Sequence, residues 1–130
     1  MSNALELHDS RVSQIELLDG VATIYFSHAY IHKSKGRAGK DRGTGWSQAA
    51  LLVLSEVKHY QPLQLILPNT IFEGFLEVGG IKHEIIPLPF KRKVGVNLYF
   101  LFIDGTEIAL SGTRPFIELL GTPIYLEDFS

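Results

Sequence analysis

Cysteine is absent from the 130-residue chain. That excludes disulfide scaffolds, Cys-based zinc sites and thiol nucleophiles, and it agrees with a reducing compartment. Long apolar runs are absent too. The longest, Leu98 to Ile103, falls far short of the roughly 20 residues a membrane helix needs. The opening MSNALELHDS has neither a basic n-region nor an apolar h-region, so a cytoplasmic location is expected and no membrane partner. An excess of one charge is also missing. The whole chain carries -2, so it is not built as a general polyanion binder. Disorder is excluded by composition, with 45% hydrophobic and 20% charged residues in a length that suits one domain spanning 1–130.

What is present is a recurring pattern of short β-branched and aromatic runs separated by glycine turns. Asp19-Gly20 predicts a type I′ hairpin joining a strand near 11–18 to one near 21–33. Gly79-Gly80 predicts a second, with Glu77 opposite Lys82 on one face and Phe72, Leu76, Val78, Ile81 and Ile85 on the core face. Asp104-Gly105 predicts a third. Its first strand, Leu98–Ile103, is apolar at every position, which predicts a central strand covered on both sides. Its second, Glu107–Leu110, alternates. Residues 47–59 fit a helix capped by Ser47 or a buried strand, and strand is favoured by the all-β surroundings. The six prolines lie between runs or at their ends, where they break pairing and blunt edges. The expected architecture is a single-domain, all-β, antiparallel sandwich or partly closed barrel of about eight to ten strands. Strands apolar on both faces need cover, so a homodimer through an exposed strand edge is one expectation.

The stretch of greatest chemical interest is HAYIHKSKGRAGKDRGTGW, residues 28–46. It holds Lys33, Lys35, Arg37, Lys40 and Arg42 against Asp41, a local +4 that leaves the remainder of the chain at -6. It is not a P-loop. With Gly39-Lys40 as the closing pair, Ser34 stands where the opening glycine belongs and Asp41 where the magnesium-binding hydroxyl belongs. It is not a two-histidine metal site either. A strand separates His28 from His32 by about 13 Å, too far for one ion with bonds near 2.1 Å. Instead, the face that carries Ile24 and Phe26 is expected to continue through His28, Tyr30 and His32 and turn polar as it leaves the core. A looser anion nest of glycine amides, lysine and arginine remains. Nucleic acid has the cations and the flanking aromatics Tyr30 and Trp46, but the acidic remainder argues against it.

The other chemistry-bearing residues form no catalytic set. His8-Asp9-Ser10 are consecutive, so Asp9 points away from the other two in an extended chain, and a turn or strand-end role is expected. His83 is expected to be a satisfied, buried histidine, and His59 carries no signal. Glu73 and Glu77 share a strand face about 13 Å apart, beyond the reach of a glycosidase pair, and read as solvated. Catalysis would require folding to bring His8, Asp9, His28 or His32 against a group from a distant strand. No catalytic residue, metal or cofactor is therefore expected.

The stretch Leu67 to Gly80, together with Ile86-Pro-Leu-Pro-Phe, Leu110-Ser-Gly-Thr, Glu118 to Phe129, Leu7-His-Asp-Ser and Tyr30 to Trp46, resembles a family of small bacterial proteins of unknown function. The resemblance implies an all-β domain of bacterial origin and no particular activity. A more general likeness is to short β-rich toxin-immunity proteins. Two functions follow as expectations. The first is a non-catalytic interaction domain, immunity-like in one form, that works through loops on a rigid scaffold with a protein partner. The second is a binding protein for a small anionic ligand held by the basic, glycine-rich loop 33–46, with Tyr30, His32, Lys33, Lys35, Arg37, Lys40, Arg42 and Trp46 as candidate contacts.

Overall fold

Two residues with positive φ, Asp19 at 52° and Gly20 at 76°, turn the chain between its first two strands. This is the backbone that a type I′ turn requires and that Asp-Gly supplies at little cost. In the computed structural model, which describes residues 2–37, 41–58 and 65–129, β1 (Ser2–Leu18) and β2 (Val21–Ser34) pair outward from Leu18 and Val21. Lys40, His59 and Pro62 lie outside the described residues. The remaining strands are β3 (Gly43–Lys58), β4 (Asn69–Val78), β5 (Ile81–His83), β6 (Ile85–Leu88), β7 (Phe90–Lys91), β8 (Gly95–Phe102) and β9 (Glu107–Phe129). Among the described residues the fold is all-β, with nine antiparallel strands in one sheet. No helix among the described residues is long and apolar enough to cross a membrane. Residues 47–58 are strand, as the surrounding pattern predicts.

The sheet closes on itself. Its strand order runs β4-β8-β9-β3-β2-β1, and Arg11 and Val12 of β1 then pair with Thr70 and Asn69 of β4. A second connection crosses the other end of the ring: β6 pairs with Asn3 to Glu6 of β1, and β7 pairs with Phe116 and Ile117 of β9. Inside lie Leu5, Leu7, Val12, Ile24, Phe26, Leu52, Leu54, Ile71, Leu76, Phe100 and Phe102, each at most 2% exposed. Burying side chains of this size contributes roughly 1.5–3 kcal/mol apiece.

β1 has 17 residues and β9 has 23, several times the usual strand length. They bend at bulges, where an extra residue interrupts the ladder and re-aims the side chains that follow. Three expectations are overturned, two of them by these bulges. Between Phe26 and Ala29 the β2–β3 register slips, so Ala29 and Ile31 take over the core face. His28, Tyr30 and His32 lie on the opposite side of the sheet from Ile24 and Phe26, not in continuation of them. A slip between Ile71 and Glu73 swings Phe72 out to 50% exposure, while Leu76 stays in the core. Ile81, at the end of the Gly79-Gly80 hairpin, is 63% exposed. The Glu77–Lys82 and Val78–Ile81 pairings themselves form as predicted.

The third correction concerns β8. It is central, between β4 and β9, but only Val96, Leu98, Phe100 and Phe102 are buried. Tyr99 and Leu101 are half-buried and Ile103 is exposed, because one curved sheet covers a single face of each strand. The Asp104-Gly105 hairpin forms, and Glu107–Leu110 alternates as expected. Asp9, with φ of 69°, sits in a bulge within β1 instead of at a strand end. Ser10 Oγ bridges that bulge, donating to the Glu6 carbonyl at 2.6 Å and accepting from the Tyr30 amide at 2.9 Å.

Candidate functional site

The β2–β3 hairpin carries the basic stretch beyond the ring. Ser34 pairs with Gly43, and Gly43 in turn with Phe129 near the end of β9. Gly43 is required there by space, since a Cβ would lie 2.1 Å from the Lys33 carbonyl oxygen. The turn is held from within. The Arg37 and Lys35 amides donate to the Asp41 carboxylate and the Arg42 carbonyl, and the Asp41 amide donates to the Arg37 carbonyl. The Arg37 amide bond is also the main reason that the Asp41 carboxyl titrates below the usual range. Asp41 therefore spends its charge on the turn and on Arg37.

Lys33, Lys35 and Arg42 make no salt bridge among the described residues. They line a concavity of about 430 Å³ with Gly43, Thr44, Asp128 and Phe129. That volume lies within the range of small-ligand sites. Lys33 rests on the Trp46 ring, its Nζ 4.4 Å from the centroid. Trp46 is held in turn by its Nε1, which donates to Thr44 Oγ1 at 2.7 Å, and by the edge of Tyr125. Asp128 accepts from the Tyr125 hydroxyl at 2.6 Å, and that bond is the chief reason Tyr125 titrates above its usual value. Three cationic residues and one already bonded carboxylate thus line the cleft.

The sheet divides the residues that the sequence groups together. Lys33 and Trp46 share the core-facing side of the β2–β3 pair, following Ile31, whose partner is Trp46. Tyr30 and His32 share the outer side. There the Tyr30 hydroxyl donates to Glu127 at 2.9 Å, and burial followed by Glu127 raises its pKa. His32 is 7% exposed. It stacks on Phe129 with centroids 4.7 Å apart, and its Nε2 is 3.5 Å from Glu6 Oε2. Phe129 thus lines the cleft and also stacks on His32. Arg37 points into solvent against Asp41 and does not line the cleft.

The cleft holds two residues with no local sequence signal, Asp128 and Phe129. They stand more than eighty positions from the basic run, and only the β3–β9 register brings them to it. The histidines named as catalytic alternatives stay apart. His28 meets Ser27 Oγ at 3.2 Å, and His8 lies by Asp9 at 3.4 Å with its Nδ1 on the Phe72 carbonyl. His83 is half-buried. Among the described residues no group of three or more His, Asp or Glu side chains is placed to hold a metal ion. Comparison with protein-family models, curated proteins and solved structures finds no match to the chain.

Proposed function

We propose that the protein is a non-catalytic binding protein whose ligand is a small anion seated at the base of the β2–β3 hairpin. The observation that carries this reading is the concavity that Lys33, Lys35 and Arg42 line without a salt-bridge partner among the described residues. Unneutralised cations at close range repel one another, and a bound phosphate, carboxylate or sulfate group relieves that repulsion and accepts their hydrogen bonds. An acidic side chain of a partner protein satisfies the same cations. The adjacent run Ile124, Tyr125 and Leu126, 47–63% exposed, favours this interaction-domain form of the reading.

Trp46 beneath Lys33 provides the test. Phosphate, nucleotides and dicarboxylates, titrated one at a time, are expected to change Trp46 fluorescence and raise the melting temperature for at least one probe. Saturating a site at 100 times the dissociation constant stabilises by about 2.7 kcal/mol. The response should vanish in the Lys33→Ala/Lys35→Ala/Arg42→Ala variant. Silence of both signals across the panel, or an undiminished response in the triple variant, refutes the cleft as the site.

A further inference from the structure

A second concavity lies away from the hairpin, on the outer face of β4, β8 and β9. Here the ladders are in phase and build rows across the three strands. Glu73, Leu101 and Glu107 form one row, Phe75, Tyr99 and Ala109 the next, and Glu77, Asn97 and Ser111 a third. The middle row is an aromatic shelf. The Phe75 and Tyr99 rings lie 5.4 Å apart with 31° between their planes, and Ala109 is too small to cover the open side of Tyr99. Lys82 Nζ lies over the Phe75 ring, 4.6 Å from its centroid, and covers part of that ring's face. The third row supplies hydrogen bonding in a fixed arrangement. Asn97 Nδ2 donates to Glu77 Oε1 at 2.9 Å, and Ser111 Oγ donates to the Lys58 carbonyl at 2.9 Å. Those bonds leave the Asn97 carbonyl oxygen, the second Glu77 oxygen and the Ser111 lone pairs open as acceptors.

Two hollows meet at this row. One of about 350 Å³ lies over Phe75, Tyr99 and Ala109, and one of about 300 Å³ lies over Glu56, Lys58 and Thr113. Both are bordered by Asn97 and Ser111. Each is near the lower limit for a small-molecule site, and the shared border at Asn97 and Ser111 makes them neighbouring parts of one groove.

From this arrangement we propose that the groove binds a neutral carbohydrate, with one pyranose ring lying on Tyr99 beside the Lys82-capped Phe75 and its hydroxyls bonded by Asn97, Glu77 and Ser111. The chemistry selects that class. A pyranose has an apolar C–H face that stacks on an aromatic ring and a rim of hydroxyls that need acceptors and donors at ring-edge distance. Glu73, Glu77 and Glu107 around the shelf repel phosphate, so a nucleic acid that stacks its bases is disfavoured. Lys58 and Lys82 offset part of that charge, so an inorganic cation has no concentrated negative site. The groove shares no residue with the basic cleft, and failure at either leaves the other standing.

The test is saturation-transfer NMR on the whole protein with methyl α-mannoside, methyl β-galactoside, N-acetylglucosamine and cellobiose as probes. Ring C–H protons of at least one probe are expected to take up saturation. Tyr99→Ala and Asn97→Ala should each weaken that probe's binding at least tenfold, equivalent to about 1.4 kcal/mol, while Lys35→Ala/Arg42→Ala should leave it unchanged. Tyr99→Leu keeps the apolar bulk and removes the ring, so it decides the matter if the alanine variant melts out. Absence of transfer to all four probes overturns the proposal. So does undiminished transfer in a folded Tyr99→Leu protein.

Discussion

The end of the β2–β3 hairpin and the outer face of β4, β8 and β9 belong to the same sheet, and each sets aromatic rings beside charge. They do so in opposite ways. At the hairpin, Lys33, Lys35 and Arg42 gather at the end of the strands, and their companions Asp128 and Phe129 arrive from the end of another strand. On the β4–β8–β9 face the rings stand at strand centres, and the charges around them are mixed. The first region depends on where strands stop and the second on how they stay in phase. The anion binding proposed at the first should therefore weaken as salt rises. The carbohydrate binding proposed at the second would depend on shape and hydrogen bonding and should respond little to salt.

The largest break in this comparison comes from Phe100→Ala. Phe100 is fully buried under the aromatic face, edge-on to Phe26 and Phe102. Emptying that position should cost about 3–5 kcal/mol, seen as a lowered denaturation midpoint. Stacking on the β4–β8–β9 face should deteriorate with it, while Trp46 keeps its response to anions in the molecules that remain folded. A melting curve equal to wild type would show that the two halves of the sheet do not share one core.

Gly43→Ala strikes the other region. Its Cβ would meet backbone, the Lys33 carbonyl at 2.1 Å and Ser34 Cα at 2.8 Å, and backbone cannot swing aside as a flexible side chain can. A cost of about 1–3 kcal/mol is expected, with loss of anion binding. Saturation transfer from the β4–β8–β9 face should survive.

The smallest effect is at Asp41. Its carboxyl is held below the usual range chiefly by the Arg37 amide, so its contribution to the turn is present above the ordinary carboxylate pKa of about 3.9 and is lost as pH falls through the lower folded value. The carboxylate is 37% exposed and bonded only within its own turn, and global stability should barely change. Hydrogen exchange of the Arg37 amide, corrected for its intrinsic rate, should quicken in Asp41→Asn at neutral pH and in the wild type under acid. Equal protection in the two proteins would mean that the turn does not rely on this carboxylate.

The turns were legible because their chemistry is local. Asp-Gly and Gly-Gly carry their own backbone preference, and the registers beginning at Leu18–Val21 and Val78–Ile81 follow from them. Bulges have no such signature. Ser27-His28 and Phe72 read as ordinary alternation, and the extra residue that flips Tyr30 and Phe72 outward shows only when a partner strand sets the count. The same reason splits the candidate site. The cations Lys33, Lys35 and Arg42 were visible as a run of charge. The division of Lys33 and Trp46 from Tyr30 and His32 depends on the bulge between Phe26 and Ala29, and the approach of Phe129 depends on strand order. Tyr99 was read only as part of a strand covered on both sides, and Phe75 had no role until β8 lay beside β4.

One row of the sheet runs Ser2, Ser34, Gly43, Phe129. Three steps of about 4.8 Å between neighbouring strands place Ser2 and Phe129 on the same rim, about 14 Å apart. Whatever is joined to either, an affinity tag or a further length of chain, emerges beside the basic cleft and far from the aromatic groove. Tag position is thus a control in its own right: a tag at either end crowds the cleft, whereas a graft at the Gly79-Gly80 turn spares it.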